Sequence, residues 1–434
     1  MTEATLELPR LGAVATHRHF EKCKVVTYNS HMRFVARAIQ PTVREAARRF
    51  PAVVVTGPRR AGKTTLLRHL FPRASYVLLE DPDVQARARA DPRGLLDGLR
   101  PPALFDEIQN VPELFAYIRT RIDEHPSRMG QWLFTGSQEA PLMQGVTESM
   151  AGRAAILHLL PMSLAETNRI TVMEGGYPEV LARPRARDLW FSSYIQTYLE
   201  RDVRAMVNIR DLATFRRFLA LLASRHGQIL NRTDLAAPLG VSVPTVSEWL
   251  HVLEITGQIT LVPPYFENFG KRLIKSPKVF VMDPGLACHL LGIRTQAELN
   301  RSPFLGALFE GFVASEILKH QVNQGQRKEL YYFRDQQGLE VDFLFPAGEG
   351  RLWMVECKAA KTVQPAMVRP LESLRDAMGG RMPVRAAVVH QAAKSGPTIR
   401  AVAPGVEALD VHDFVHALGA ATPRRRKSRE GAAG

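Results

Sequence analysis

Apolar residues change their period along the chain, and the changes mark elements. "AVVVTG" at 52–57 is a short β-branched run, the mark of a strand buried on both faces. "SYVLLE" (75–80), "PALFDE" (102–107) and "QWLFTGS" (131–137) are runs of the same kind. Between them "ELFAYIRTRIDEH" (113–125) spaces its apolar residues as a helix does. This alternation, up to about Glu166, predicts an α/β sheet with crossover helices. Upstream, residues 33–49 read as a helical lead-in interrupted at Pro41.

Residues 186–226 are helical, with apolar and aromatic residues at three- and four-residue steps. Residues 227–283 then run helix, turn, helix, strand, as in a winged helix. Leu235, Ala236 and Leu239 pack the first helix, Gly240 makes the turn, and Val246, Leu250 and Leu253 pack the second. "PPYFENFGKRLIKSPKVFVMD" predicts a β-wing with its tip near Asn268–Gly270, and Lys271, Arg272 and Lys275 on it can meet phosphates. The exposed side of the second helix, with Ser242, Thr245, Ser247, Glu248 and His251, carries little positive charge. DNA contact and a role as lid or protein contact both stay open for this module.

From 304 to 420 the pattern is again mixed α/β. Alternate residues of a strand share a face. In "LEVDFLF", Val341, Phe343 and Phe345 are expected on a core face, with Glu340 and Asp342 opposite. In "LWMVECKA", Val355 and Cys357 face the core while Glu356 and Lys358 share the other side. Adjacent antiparallel strands would bring Asp342, Glu356 and Lys358 together. Two carboxylates and a carbonyl suit Mg²⁺, and the Lys358 ammonium can position or help deprotonate a water for attack on phosphate. The preceding helix "GALFEGFVASEILKH" offers Glu310, the first choice as a further metal ligand, and Glu316.

A chain of 434 residues has two to four domains as its prior. Hydrophobic residues at 45% and charged residues at 23% are those of a globular protein, and no apolar run reaches the ~18 residues of a membrane span. The N-terminus has no secretory apolar region, and Cys23, Cys288 and Cys357 are too scattered for a disulfide framework or a zinc site; a reducing cytoplasm is expected. Lys plus Arg number 57 against 43 Asp plus Glu, a net charge of +14, which points to a polyanionic partner, DNA before others. Part of that excess sits in the tail "PRRRKSRE".

The most specific chemistry lies at Gly57–Thr64, where G-x-x-x-x-G-K-T stands between a strand and an amphipathic helix. Gly57 and Gly62 let the loop of Pro58, Arg59, Arg60 and Ala61 turn its N–H groups toward phosphate oxygens. Lys63 reaches the β- and γ-phosphates, and Thr64 offers a hydroxyl to Mg²⁺. In "PALFDEIQ", Asp106 holds the metal through water and Glu107 orients the attacking water. Thr135 or Ser137 is placed to sense the γ-phosphate, and Arg153 is a candidate arginine finger, in cis or from a neighbouring subunit of a homo-oligomer. Arg201 and Arg204 compete for that role. No Asn-Lys-x-Asp guanine-reading motif is visible, so ATP is preferred to GTP.

Eight segments together carry a family likeness: "FPAVVVTGPRRAGKTT", "LFDEIQ", "FTGSQ", "SMAGR", "GGYPEV", "YLERDV", "FEGFVASEI" and "FRDQQGLEVDFLF…VECKA". With them the chain resembles the prokaryotic AAA-like P-loop ATPases that end in a domain of unknown function with a restriction-endonuclease-like fold. The likeness spans about residues 33–420. It implies ATP binding by Gly57–Thr65, including Thr65, and metal and water handling by Asp106 and Glu107. It also implies a PD-(D/E)XK nuclease fold in which Asp342, Glu356 and Lys358 match the motif. The expected organisation is an α/β multidomain chain. Residues 1–32 form an extension, with Met32 a candidate start; 33–170 form the P-loop ATPase domain, 171–226 a helical lid or linker and 227–300 a winged helix. Residues 301–420 form the nuclease-like domain and 421–434 a basic disordered tail. Two functions compete: an ATP-driven DNA-processing enzyme, and a nucleotide-gated switch whose C-terminal domain only binds.

Overall fold

A computed structural model describes residues 34–137, 149–199, 211–265, 276–380, 382–391 and 401–420. The chain divides into Met1–Val35 and Ala36–Gly434, and all the sheets and helices named below belong to the second unit. Its first sheet has five strands: β1 (Ala52–Thr56), β2 (Ser75–Leu78), β3 (Ala103–Asp106), β4 (Trp132–Gly136) and β5 (Ala154–His158). Their order is β2-β3-β4-β1-β5 and every pairing is parallel, so all carboxyl ends emerge at one edge. The central strands β1, β3 and β4 are buried throughout, which is why they read as unbroken apolar runs. Val54, Phe105 and Phe134 pack on one face with Leu114, Phe115 and Ile118; Val53, Val55, Leu104 and Leu133 pack on the other with Leu66 and Leu67.

The helix α1 (Gln40–Arg49) precedes β1, and α2 (Lys63–Leu70) follows it. Pro41 lies in the first turn of α1 and does not interrupt a helix. Proline's missing N–H costs nothing at a position whose N–H has no intrahelical acceptor. Just before α1, Arg37 is buried. Its guanidinium donates to the carbonyls of Ala61 (2.8 Å) and Leu160 (2.7 Å) and to Glu166 Oε1 (3.1 Å). Glu166 in turn accepts from the Ala38 and Ser163 N–H groups, so one ion pair ties the lead-in, the phosphate loop and the end of the first domain together.

The helix α3 (Leu114–Glu124) crosses between β3 and β4. After β5 come α4 (Arg187–Tyr194), α5 (Leu212–Ser224), α6 (Arg232–Ala236) and α7 (Val243–Ile255). Gly240 adopts φ 67° between α6 and α7, and the Phe215 and Phe218 rings of α5 pack on Trp249 of α7. A three-stranded antiparallel sheet has the order β6 (Gln228–Ile229), β8 (Lys278–Val281), β7 (Ile259–Val262). The wing tip and its basic residues Lys271, Arg272 and Lys275 lie outside the described residues, as do Arg201 and Arg204 and the basic tail.

The third part opens with α8 (Leu305–Asn323). Its sheet contains β9 (Tyr331–Arg334), β10 (Glu340–Gly348), β11 (Arg351–Lys358), β12 (Val384–His390), β13 (Ala401–Ala403) and β14 (Val406–Asp410). The order is β13-β14-β12-β11-β10-β9; β10 pairs antiparallel with β9 and β11, while β11, β12 and β14 run parallel. The helices α9 (Arg369–Met378) and α10 (Val411–Ala420) complete it. The expected single core face of Val341, Phe343 and Phe345 needs correction. The pairing of β10 with β9 shifts register between Val341 and Leu344, and a shift of one residue turns the later side chains to the other face. Val341 and Leu344 share a core with Leu352 and Met354, whereas Phe343 meets Phe280 and Phe345 stacks on Trp353. Among the described residues no helix is long and apolar enough to cross a membrane.

Replacing Arg37 with alanine leaves the Glu166 carboxylate and two carbonyls buried without their donor. We expect a loss of about 3–5 kcal/mol, read from chemical denaturation of the full chain.

Candidate functional site

The phosphate loop occupies the carboxyl edge of the five-stranded sheet. Gly57 has φ 140° and sits so close to β5 that a Cβ there would come 2.1 Å from the Leu159 carbonyl oxygen. Gly62, at φ 97°, caps α2, whose N–H groups face the loop. Lys63 is buried and its ammonium donates to the carbonyls of Gly57 and Pro58, both at 3.0 Å. Arg59 and Arg60 pair with Glu80 and Glu179, each at 3.6 Å, and Thr65 is exposed on α2.

Asp106 ends β3 and is the hub. Its Oδ1 accepts from the Thr64 hydroxyl at 2.7 Å and from the Thr135 hydroxyl; its Oδ2 accepts from the Tyr76 hydroxyl at 2.7 Å. Arg68 of α2 lies 4.9 Å over the Tyr76 ring. This convergence comes from strand order: β4 lies between β1 and β3, so Thr135 stands between the loop and Asp106. The hydroxyl of Thr64 and the carboxylate of Asp106 are a donor set that fits Mg²⁺.

Glu107 comes next, in a left-handed conformation (φ 56°, ψ 53°). Such strain in a non-glycine residue costs of order 1–3 kcal/mol and collects at functional sites. The Thr135 hydroxyl also accepts from the Glu107 N–H, at 3.1 Å. Gln109 donates to the Glu107 carboxylate and, at 3.0 Å, to the Ser137 hydroxyl. Burial pushes the Glu107 carboxyl up, but Lys63, Gln109 and Arg59 outweigh it and hold it below its ordinary value. Glu107 is therefore ionised at neutral pH. Thr135 is committed to Asp106, while Ser137 connects through Gln109 to Glu107, so both sensor candidates belong to the site in different ways.

For Arg153 the expectation of a finger acting in cis requires a correction, while a finger offered to a neighbouring subunit is untouched. It precedes β5, its carbonyl accepts from the Ala52 N–H at the start of β1, and its guanidinium grips Asp123 at 2.7 and 3.0 Å. In a parallel sheet that is the amino edge, about five residues of strand or ~16 Å from the loop. Within one chain Arg153 does not reach the nucleotide.

The second cluster lies in the C-terminal part. The antiparallel pairing of β10 and β11 brings Asp342 and Glu356 together, and the Cys357 N–H donates to Asp342 Oδ2 at 2.7 Å. Lys358 pairs with Glu356 Oε1 at 2.6 Å. Glu310 of α8 joins them, whereas Glu316 does not. Glu316 is buried elsewhere, bound to Lys319 (2.9 Å) and to the Leu164 N–H (2.8 Å).

An unexpected cation sits here. Lys278 of β8 places its ammonium 2.9 Å from Glu310 Oε1, 2.6 Å from Glu340 Oε1 and 3.9 Å from Asp342 Oδ1. Among the described residues no three acids, cysteines or histidines are arranged to hold a metal ion. The expected ligand set of Glu310, Asp342 and Glu356 is thus corrected: Glu310 and Asp342 face the Lys278 ammonium and Glu356 that of Lys358, which leaves them unfit for Mg²⁺ in this conformation. Glu356 is more buried than a solvent-facing strand position allows, because both faces of β11 are covered. Burial, then Asp342, pushes its carboxyl up to about 8; burial, then Asp342, does the same for Glu310, also to about 8. Burial lowers the Lys358 ammonium, but Glu356 outweighs it and keeps the lysine charged, which suits positioning a water and opposes deprotonating one.

Neither Lys278 nor Gln109, Tyr76 and Arg37 stood out in the sequence. Gln109 lies inside the quoted "LFDEIQ", the one signal that pointed to any of them.

Comparisons with known proteins agree with the nucleotide-site geometry. Residues 49–168 match the model of an AAA domain. Residues 166–297 match a domain of unknown function (DUF8612), and residues 305–405 a second (DUF4143). The fold and site define a P-loop nucleotide-binding ATPase of the AAA class. Over 356 residues the chain is 34% identical to the uncharacterized protein Rv2008c of Mycobacterium tuberculosis, covering 80% of this chain and 78% of that one. The uncharacterized protein Mb2031c of Mycobacterium bovis matches equally. The chain belongs to the family of these mycobacterial proteins. Among solved structures, the Walker-type ATPase PABY2304 of Pyrococcus abyssi is 16% identical, covering 58% of this chain and 94% of that one, with a TM-score of 0.40. A RuvB variant of Thermotoga maritima is 17% identical, covering 52% and 87%, with a TM-score of 0.26. At these scores neither likeness carries an argument.

The raised carboxyl of Glu356 gives a pH prediction. Its folded pKa exceeds the ordinary 4.5, so the folded chain binds this proton more tightly than the unfolded chain. The stabilisation is complete below that ordinary value and is lost as pH rises toward about 8. Glu356→Gln should flatten this fall by about 1–3 kcal/mol between pH 5 and 8, measured by denaturant unfolding; Glu310 retains the remainder of the slope.

Proposed function

We propose that the chain is a Mg²⁺-dependent ATPase whose turnover is coupled to DNA engagement by its C-terminal part. The observation that carries the first half is the convergence of Lys63, Thr64, Asp106, Thr135 and Glu107 at the carboxyl edge of one parallel sheet. The loop N–H groups and α2 receive the phosphates. Lys63 exchanges its two carbonyl partners for β- and γ-oxygens, an exchange its buried position favours. Mg²⁺, held by Thr64 and backed by Asp106, would supply charge neutralisation across the phosphates. Glu107 orients a water toward the γ-phosphorus and accepts a hydrogen bond from it; as a weak base it polarises more than it abstracts. Ser137, joined to Glu107 by Gln109, relates the presence of γ-phosphate to the position of that carboxylate. A finger arginine then comes from a second copy of the chain or from the stretch holding Arg201 and Arg204.

The net charge of +14 supports DNA as the partner. The α6–turn–α7 pair with its small sheet supports a winged helix, and the mixed sheet behind α8 supports a restriction-endonuclease-like domain. The protein is expected to act in the cytoplasm. Of the two readings of the C-terminal part, a nucleotide-gated binding module gains from Lys278, whose ammonium stands among the acids that a nuclease would give to metal.

Lys63→Ala should abolish nucleotide binding in a fluorescent-nucleotide titration. Glu107→Gln should keep binding and lower phosphate release by about 100-fold; undiminished release would refute the role given to Glu107. For the partner, filter binding to duplex DNA should be ATP-dependent and weaken with salt, and Lys63→Ala should lose that dependence. DNA cutting in Mg²⁺ and ATP that disappears in Glu356→Ala would restore the nuclease reading over the binding module.

A further inference from the structure

β2 is an edge strand and pairs with β3 alone. Tyr76 on it is 41% exposed, and a ring so open to solvent gains little from burial. Packing therefore does not explain why a tyrosine stands there. In the parallel pairing Tyr76 lies opposite Leu104, and Leu78 opposite Asp106. Leu104 packs with Leu66 and Leu67 of α2, so Tyr76 and Asp106 share the sheet face that α2 covers. One strand across and two residues along is about 8 Å, a span too long for serine or threonine and within reach of a phenol. Tyr76 crosses it: its hydroxyl donates to Asp106 Oδ2 at 2.7 Å. Arg68 of α2 lies 4.9 Å over the ring and holds it from the helix side.

The two oxygens of Asp106 serve different sides. Oδ1 accepts from the hydroxyls of Thr64, at 2.7 Å, and Thr135. Thr64 belongs to the phosphate-loop motif, so Oδ1 is the oxygen presented to the loop. Oδ2 faces the sheet edge, where its donor among the described residues is Tyr76. The terminal torsion of an aspartate is broad and roughly two-fold, so the donors on its oxygens decide how the carboxylate lies.

We propose that Tyr76 is a positioning residue of the nucleotide site: by holding Oδ2 of Asp106 it keeps Oδ1 aimed at Thr64, where the two residues would hold Mg²⁺. This role rests on the reading of the chain as a Mg²⁺-dependent ATPase, and it extends the metal-holding group to the edge of the sheet. Tyr76 acts through Asp106, as a partner behind a metal ligand does. Phenylalanine at this position keeps the ring beneath Arg68 and removes one donor.

Binding of a fluorescent ATP analogue to the full chain, with Mg²⁺ and with excess EDTA, tests it. Mg²⁺ should tighten binding by the natural chain. In Tyr76→Phe the affinity in EDTA should stay within about twofold, while the gain from Mg²⁺ should shrink about tenfold. An undiminished gain would overturn the proposal. An equal loss with and without Mg²⁺ would overturn it too, because damage to the loop or α2 gives that result. Phosphate release supplies a second readout. The Mg²⁺ concentration for half-maximal turnover should rise about tenfold in Tyr76→Phe, and saturating Mg²⁺ should restore turnover to within about threefold of the natural chain. A deficit that saturating Mg²⁺ does not restore would assign Tyr76 to the general support of the site and overturn the link to the metal. A natural chain that binds the analogue equally well in Mg²⁺ and EDTA and releases no phosphate would overturn the ATPase reading itself, a result distinct from any change confined to Tyr76→Phe.

Discussion

One carboxylate organises the nucleotide end of this molecule. Asp106 receives hydroxyls from α2, β4 and β2 at once, through Thr64, Thr135 and Tyr76. A carboxylate oxygen buried at the end of a strand must be given donors, and each donor pins the element that carries it. Asp106 thereby holds α2 against the sheet, sets where Glu107 begins, and leaves the strained turn at Glu107 supported by Thr135. Glu107 in turn reaches Ser137 through Gln109. The geometry for phosphate chemistry is a consequence of satisfying one buried acid.

A second ion pair gives the domain its frame. Arg37 and Glu166 lie 129 residues apart and bond the backbone at both ends of the AAA domain, including Ala61 of the loop itself. The third buried charge, Lys278, does comparable work between the middle sheet and the C-terminal domain. In each case the charge is too buried to be solvated, so its partners must come from distant parts of the chain. Buried charges of this kind fix which surfaces meet, where apolar packing alone tolerates sliding.

The phosphate site was largely legible in the amino-acid sequence. Glycines at fixed spacing, a lysine and threonine at a helix start, and an apolar strand ending in two acids are local patterns, and local patterns survive in one dimension. Arg153 was a weaker inference because its distance from the loop depends on which end of β5 it occupies. Its motif lies near a strand, and the parallel direction puts it at the amino edge. The acidic cluster was legible in its members Asp342, Glu356 and Lys358 and misread in its state. Alternation placed Val341 and Phe343 on one face, and a register shift within β10 separated them.

Periodicity and motif spacing alone determined the alternating sheet, the phosphate loop and the turn at Gly240; that the two acid-bearing strands are neighbours came from the sheet pairing. The first three depend on backbone geometry and on residues close in sequence, where the chemistry of one side chain constrains the next. Tertiary structure alone decided that Pro41 starts a helix, that Glu316 fastens domains while Glu310 faces the cluster, and that Lys278 occupies that cluster. Nothing near Lys278 in "SPKVFVMD" marks it as a counter-ion, since its partners lie 32, 62 and 64 residues away. A buried charge is specified by what surrounds it, and only the folded chain brings those surroundings together.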